Sequence, residues 1–368
     1  MEISSLRSSM RRLITVVLPL LLLLNVLYVF SGVLNYPFRS MDVMSDWLLK
    51  AKVLYMSPTF PFVFFQDWSY MASHMQYPIL LPLLFSFIYR IVGSVSEISV
   101  LLFYPVIYAA TLALCYYTLR LLQINTTQSL LCTYVYSMMS PLLAQGGRGH
   151  AGNADIVITL IGWAVLSLLL QHRRRFLHIL LSSLLIGIAS QIKLEGVFLI
   201  SILFFTEIPK TVKVIALCVS ALPAVLWMNF VQIHGFASDI GYRLVSIREV
   251  FTRLAIILTG MIREMANPRN WYVFWPLFLL LLFVRERVHP FIKRTVLPAM
   301  LSMIMAYIAA YLFAYFTKTE INITKYVTSS MDRILLQLSP FYFIYFASKL
   351  SSMFSSFFSW PSQRKSYK

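Results

Sequence analysis

The chain has 368 residues, of which 59% are hydrophobic and only 12% charged, about half the charged share of a soluble domain. That composition excludes a soluble protein and places the chain in a membrane. The net charge of +17 is then a matter of which loops carry it, and nucleic acid drops out as a partner. Cys115, Cys132 and Cys218 each sit inside an apolar run with no metal-ligand spacing, and read as small hydrophobes.

Residues 13–34 form the first apolar run long enough to cross ~30 Å of hydrocarbon. The run exceeds a signal-peptide core and no small-residue cleavage site follows it, so it reads as a retained helix. Residues 35–77 are polar and aromatic and carry Asp42, Asp46 and Asp67. The next segment, 78–93, is apolar but reaches only about 24 Å as a helix, short for a span. Further spanning helices are predicted near 98–119, 128–145, 154–171, 177–193, 196–208, 212–233, 271–284, 296–316 and 333–350. A basic amphipathic stretch within 234–270 reads as lying along the membrane surface, and 317–332 as a shorter loop. Strand alternation is absent, which excludes an outer-membrane barrel. The predicted fold is an all-α polytopic membrane helical bundle without internal repeats. It forms a single transmembrane domain over 1–350, followed by a basic cytoplasmic tail, 351–368, that anchors by charge or touches anionic lipid.

Lys/Arg excess marks the cytoplasmic side. If 78–93 stays in the outer leaflet, the basic clusters at 7–12, 173–175, 285–294 and 364–368 all fall inside. All but three of the 14 acids (Glu2, Glu207 and Glu286) then fall outside. If 78–93 spans, the Arg173–Arg175 block turns outward. Charge therefore favours about ten spans in a multi-pass plasma-membrane protein, both termini cytoplasmic and 35–97 a single outer loop with juxtamembrane helices.

Several outer-face residues admit two readings. Asp155 opens an apolar helix, where it either favours the helix dipole or serves as an acid at the mouth of the bundle. Lys193 and Glu195, in I-K-L-E-G, are either a snorkelling lysine with a neighbouring carboxylate or a functional pair at membrane depth, with Gly196 marking a sharp turn. Arg333 either pairs with Asp332 or binds phosphate, and Arg148 sits in a Gly-rich turn near Asp155. Asp42, Asp46 and Lys50 share one face of a helix, which is either a solvated amphipathic face or a reactive one. The aromatics around them (Tyr36, Phe38, Trp47, Tyr55, Trp68, Tyr70) suit an interfacial belt or a sugar-stacking platform. His74 alone favours a structural role over metal binding. No H-E-x-x-H, P-loop or G-x-G-x-x-G motif occurs.

Five fragments in order resemble the GT-C superfamily of polytopic glycosyltransferases, in the branch of the protein O-mannosyltransferases and the lipid A aminoarabinose transferase. They are M-D-V-M-S-D-W-L-L-K-A-K (41–52), H-M-Q-Y-P-I-L-L-P-L-L (74–84), G-N-A-D-I-V (152–157), I-K-L-E-G (192–196) and S-M-D-R-I-L-L-Q-L-S-P (330–340). Met41 and Met44 stand where relatives carry tryptophans, and Gln76 where they carry an acid. The soluble outer domain of many relatives does not follow.

The resemblance implies a GT-C-like fold and an inverting transfer from a polyprenyl-phosphate sugar donor to an acceptor hydroxyl on a glycan, lipid or protein, at the outer membrane face. It implies Asp42 as general base with Asp46 in reserve, and Lys193 and Arg333 on the donor phosphate. Lys50 and Lys52 either join that phosphate or snorkel, while Asp155, Glu195, His74 and Arg148 position the acceptor or the cations. The superfamily admits a divalent metal, and no motif here fixes one. The alternatives are a transporter or flippase of lipid-linked sugar and a non-catalytic scaffold with the same fold.

Overall fold

The computed structural model describes residues 2–35, 40–171, 176–285, 288–316 and 322–358. Helices make up 81% of it. Four are long and apolar enough to cross a membrane: Leu13–Asn35, Glu97–Leu121, Lys210–Ile233 and Ile292–Phe313. Five shorter apolar helices accompany them: Leu80–Val92, Asp155–Leu170, Phe176–Ile192, Leu194–Phe205 and Phe274–Phe283. The protein is thus a predominantly helical bundle, and its long apolar helices mark it as membrane-embedded.

The helices differ in which way their apolar surface faces. Leu13–Asn35 shows Leu20, Leu23, Leu24 and Leu27 to the outside, as a lipid-facing helix does. Asp155–Leu170 is apolar all round and buried along almost its whole length, so it forms the centre. Close approach to it depends on small residues. A Cβ on Gly162 would stand 3.1 Å from Pro340 Cγ of the last helix, and one on Gly187 would stand 3.1 Å from Pro223 Cγ.

Three expectations change. Residues 128–145 are not one helix: Thr126–Ser137 stops and Ser140–Gly146 restarts. Pro141 has no N–H to donate one turn back, but fits the first turn of the new helix. The 196–208 segment begins instead as the 3-10 turn Leu194–Leu199. Gly196 is required there by contact rather than by a left-handed turn, because a Cβ would meet Ala189 O at 2.3 Å. The last helix is longer than 333–350. It runs Ile323–Phe358 without a break, so the boundary drawn at 350 falls inside it, and the basic residues of the tail beyond 358 lie outside the described residues. Tyr36, Phe38 and the Arg173–Arg175 block also lie outside them.

The 35–97 region is a set of short helices. A π-helical turn, Val43–Leu48, runs into Leu49–Met56, followed by Phe62–Gln66 and the 13-residue Leu80–Val92. At about 20 Å the last is shorter than a ~30 Å hydrocarbon core. The amphipathic stretch forms Ile247–Met265, with Ile247, Phe251 and Ile262 exposed on one face. A two-stranded ribbon was not foreseen: β1 (Ile240–Tyr242) pairs antiparallel with β2 (Ala314–Phe316). Arg253 ties this ribbon down by donating to Leu312 O (2.9 Å) and to Ala314 O, while Glu249 holds the same guanidinium at 2.6 Å.

Candidate functional site

One cavity of about 650 Å³ gathers residues from the first loop, the start of Asp155–Leu170, the turn after Phe176–Ile192, the C-terminal parts of Lys210–Ile233 and Leu297–Phe313, the ribbon and the last helix. That volume lies within the range of small-molecule sites. Its lining includes ionic and polar residues, Asp42, Asp46, His74, Gln76, Asn153, Asp155, Lys193, Glu195 and Arg333, and apolar ones, Val197, Phe198, Ala224, Met228, Ala306, Ala309, Ala310, Phe313 and Ile334. Trp47, Tyr77, Tyr242, Tyr307, Tyr311 and Tyr326 add aromatic surface.

Arg333 sits one turn above Gln337 in the last helix, and its Nη1 contacts Asp42 Oδ2 of the first loop. The Asp42 side chain stays 42% exposed, so this pair faces open space. The alternative partner Asp332 accepts from the Arg333 backbone N–H and acts on the guanidinium only at longer range, while the close ion pair is with Asp42. Lys193 caps the turn that follows Phe176–Ile192, and its Nζ lies 3.1 Å from Asp155 Oδ1 and 3.6 Å from Glu195 Oε1. Asp155 also accepts from Gln337 Nε2 (2.5 Å) and Gln145 Nε2 (3.3 Å), and Gln337 Oε1 in turn accepts from Tyr307 OH. The carboxylate of Asp155 is therefore committed to side chains, which goes beyond a helix-dipole role.

Asp46 borders the same cavity, but its side chain is 2% exposed and closed by Lys50. Lys50 is wholly buried. It donates to Asp46 and to His74 O (2.8 Å), and is absent from the cavity wall. Neither a solvated face nor a snorkelling lysine describes this pair. Burial penalises both charges, raising the Asp46 carboxyl and lowering the Lys50 ammonium from their ordinary values. Lys52 pairs with Glu97 at 2.6 Å, and Arg148 stacks over Tyr28 at 5.7 Å from the ring centroid. Both lie off the cavity wall.

The cavity thus joins Asp42, Asp46, Asp155, Glu195, His74, Lys193 and Arg333, and leaves out Lys50, Lys52 and Arg148. Asp239 was missed. His74 Nδ1 lies 3.0 Å from its Oδ1, and Gln76 Nε2 donates to it at 2.9 Å. Burial alone lowers the His74 imidazole, but the Asp239 carboxylate outweighs it and the net direction is upward. His74 has φ 47°, a left-handed conformation uncommon for a non-glycine residue, held by the Lys50 bond to its carbonyl. Gln337 was also missed, although Tyr326, Ser330, Arg333 and Gln337 recur at helical spacing on one face. Nothing local in F-A-S-D-I announces that Asp239 meets a residue 165 positions away. Among the described residues no group of three or more His, Cys, Asp or Glu is placed to hold a metal ion.

No known family model and no curated protein matches the chain.

Proposed function

We propose that this protein is a membrane glycosyltransferase of GT-C type. It moves a sugar from a polyprenyl-phosphate donor to a hydroxyl of a glycan, lipid or protein at the outer membrane face, with inversion. The proposal includes about ten spans and cytoplasmic termini, following the positive-inside bias of the loops. One observation carries it: two ion-pair clusters, Arg333–Asp42 and Asp155–Lys193–Glu195, share a single cavity whose lining is otherwise largely apolar and aromatic. An anionic head on a hydrocarbon tail matches both kinds of lining.

In the proposed reaction the acceptor oxygen attacks the anomeric carbon from the face opposite the phosphate. The new C–O bond forms as the bond to the phosphate oxygen breaks, so configuration inverts and polyprenyl phosphate leaves. Arg333 exchanges Asp42 for the phosphate, with Lys193 stabilising the same departing charge. The freed Asp42 carboxylate takes the acceptor's proton, a contribution worth roughly 10²–10⁴ in rate. Asp155 and Glu195 hold Lys193 in place, and Gln337 with Tyr307 holds Asp155. Asp46 takes no part, because Lys50 occupies it.

The test uses the full-length protein in liposomes with radiolabelled polyprenyl-phosphate hexoses and an outer-surface acceptor pool. Release of polyprenyl phosphate with a new glycoside is expected, and Arg333→Ala and Lys193→Ala should remove it. Label that crosses the bilayer without a new glycoside would instead assign a transporter of lipid-linked sugar.

A further inference from the structure

The helix Ile247–Met265 presents three faces where an ordinary amphipathic helix has two. At roughly 100° per residue, Ile247, Phe251, Leu258 and Ile262 fall within about 60° of one another, and all four are exposed. Arg248, Thr252, Thr259 and Arg263 are exposed on a second face, about 100° further round. Glu249, Arg253, Ile257 and Gly260 share the third, which carries the helix's two buried residues, Arg253 and Ile257. The exposed apolar stripe is therefore separate from the face that packs on the bundle.

The packed face sets the depth of the helix. Ile257 and Met261 meet Ile304, Ile308 and Tyr311 of Leu297–Phe313 and Met331 of the last helix around one small apolar gap. A Cβ on Gly260 would stand 2.5 Å from Val327 Cγ1 of that last helix. The span Ile292–Phe313 has 22 residues, about 33 Å of helix, which matches a ~30 Å hydrocarbon core and puts Phe313 near one boundary. Ile308 and Ile304 then lie about 8–14 Å inside that boundary, beside the depth of about 5–10 Å to which interfacial helices sink. On the same span Leu301 and Met305 are exposed and absent from the cavity wall, so they face outward. The stripe on Ile247–Met265 thus stands next to a lipid-facing surface, and acyl chains are what covers it. Arg248 and Arg263, a quarter-turn away, reach the headgroups.

The packed face also reaches the cavity. Arg253 donates to Leu312 O and Ala314 O, with Glu249 holding its guanidinium. Ala314 pairs with Tyr242 across the ribbon, and both border the cavity. We propose that Ile247–Met265 is immersed in the leaflet on the cavity's side, with acyl chains covering Ile247, Phe251, Leu258 and Ile262, and that Arg253 passes this anchorage to the ribbon. The bilayer then holds the ribbon side of the cavity at membrane level. A ligand resident in the leaflet reaches it without first crossing water. The inference stands whatever reaction the cavity serves.

The experiment uses the full-length protein in nanodiscs of phosphatidylethanolamine and phosphatidylglycerol, with the exposed Cys218 changed to serine. Single nitroxide labels are attached to Phe251→Cys, Ile262→Cys, Thr252→Cys and Thr259→Cys, all at exposed positions, so no packing is disturbed. Oxygen, which concentrates in lipid, should relax the labels at Phe251 and Ile262 more than a water-soluble nickel chelate does, and the order should reverse at Thr252 and Thr259. Water-like behaviour at Phe251 and Ile262 overturns the immersion. Shielding there from both reagents also overturns it and assigns the face to protein, a second copy of this chain if the shielding vanishes at one chain per disc. A label on Tyr242→Cys, at the ribbon, should gain mobility in Arg253→Gln and in the exposed-site double variant Phe251→Glu/Ile262→Glu, but not in Thr252→Gln. Unchanged mobility in the double variant overturns the link between lipid and ribbon.

Discussion

Asp42 and Asp46 stand four residues apart on one distorted turn, each paired to a cation, and the two pairs have opposite characters. Asp46 meets Lys50 with side-chain exposures of 2% and 0%. Asp42 meets Arg333 with exposures of 42% and 21%. The inner pair is sealed: Lys50 also holds the His74 carbonyl, so the helix 43–56 and the His74 turn are locked together. The outer pair spans 291 positions of sequence and opens on the cavity. A closed pair fixes the backbone, whereas an open pair can exchange partners, and only the second suits the handling of a proton and a phosphate.

Asp42→Asn should show the largest effect. It removes the proton acceptor and keeps the shape, so transfer should fall by roughly 10²–10⁴, while the unfolding midpoint moves little because the pair is partly exposed. Assays of polyprenyl phosphate release and thermal unfolding on one preparation separate the two outcomes. Full transfer by the Asn variant would remove Asp42 from the base role.

The inner pair should behave in the reverse way. Lys50→Met leaves the Asp46 carboxylate buried without its partner, a cost of about 3–5 kcal/mol. Adding Asp46→Leu to Lys50→Met replaces the pair with packed apolar groups and should return most of that stability. Chemical unfolding of the three proteins gives the coupling directly. A neutral Lys50→Met would mean that the contrast between sealed and open pairs is wrong.

How far the sequence reveals this depends on the range of the interaction. The apolar runs, the short 80–92 helix and the surface helix at 247–265 were legible, because hydropathy and helix length act locally. The grouping of Asp42, Asp155, Lys193 and Arg333 into one site was expected from the resemblance, and the cavity brings them together. The sealing of Lys50 was not, because i,i+4 spacing says that Asp46 and Lys50 meet and nothing about which side of the helix is covered. Leu54, Phe65 and Met75 are buried in the same loop, in a cluster with Trp227 and Phe236 of a distant segment, while Trp47, Leu48 and Ala51 join the main core, and these long-range contacts turn the face inward. Asp239 was illegible for the same reason. The break at Met138–Met139 was not read, although Pro141 is a local signal for it.

The third test probes the layer between the two pairs. The His74 imidazole is partly exposed and pairs with Asp239, which Gln76 also contacts; the charges of Asp46 and Lys50 act on it too, and its pKa lies above the ordinary value of about 6.5. A raised folded value means that the charged pair's contribution is complete below pH ~6.5 and is lost as pH rises through that folded value. Stability should therefore decline as the solution is made alkaline through this window, and His74→Gln should lack that component of the slope. The effect is smaller than those above because the neutral imidazole still donates Nδ1–H to Asp239. An unchanged slope in the Gln variant would assign the titration to another group.

The smallest effect belongs to Lys52, two residues past the sealed lysine. It pairs with Glu97 at 2.6 Å, with both side chains about a third exposed (34% and 32%). Surface pairs of this kind contribute up to about 1 kcal/mol and weaken with salt. Lys52→Ala should shift the unfolding midpoint only slightly, less in high salt, and should leave transfer intact. A large loss of transfer with normal stability would bring Lys52 back toward the donor phosphate. It would also require the 43–56 helix to turn on binding, and the Asp46–Lys50 lock forbids that rotation. The Lys52 result therefore tests whether the sealed pair keeps the open pair's helix in a single orientation throughout the reaction.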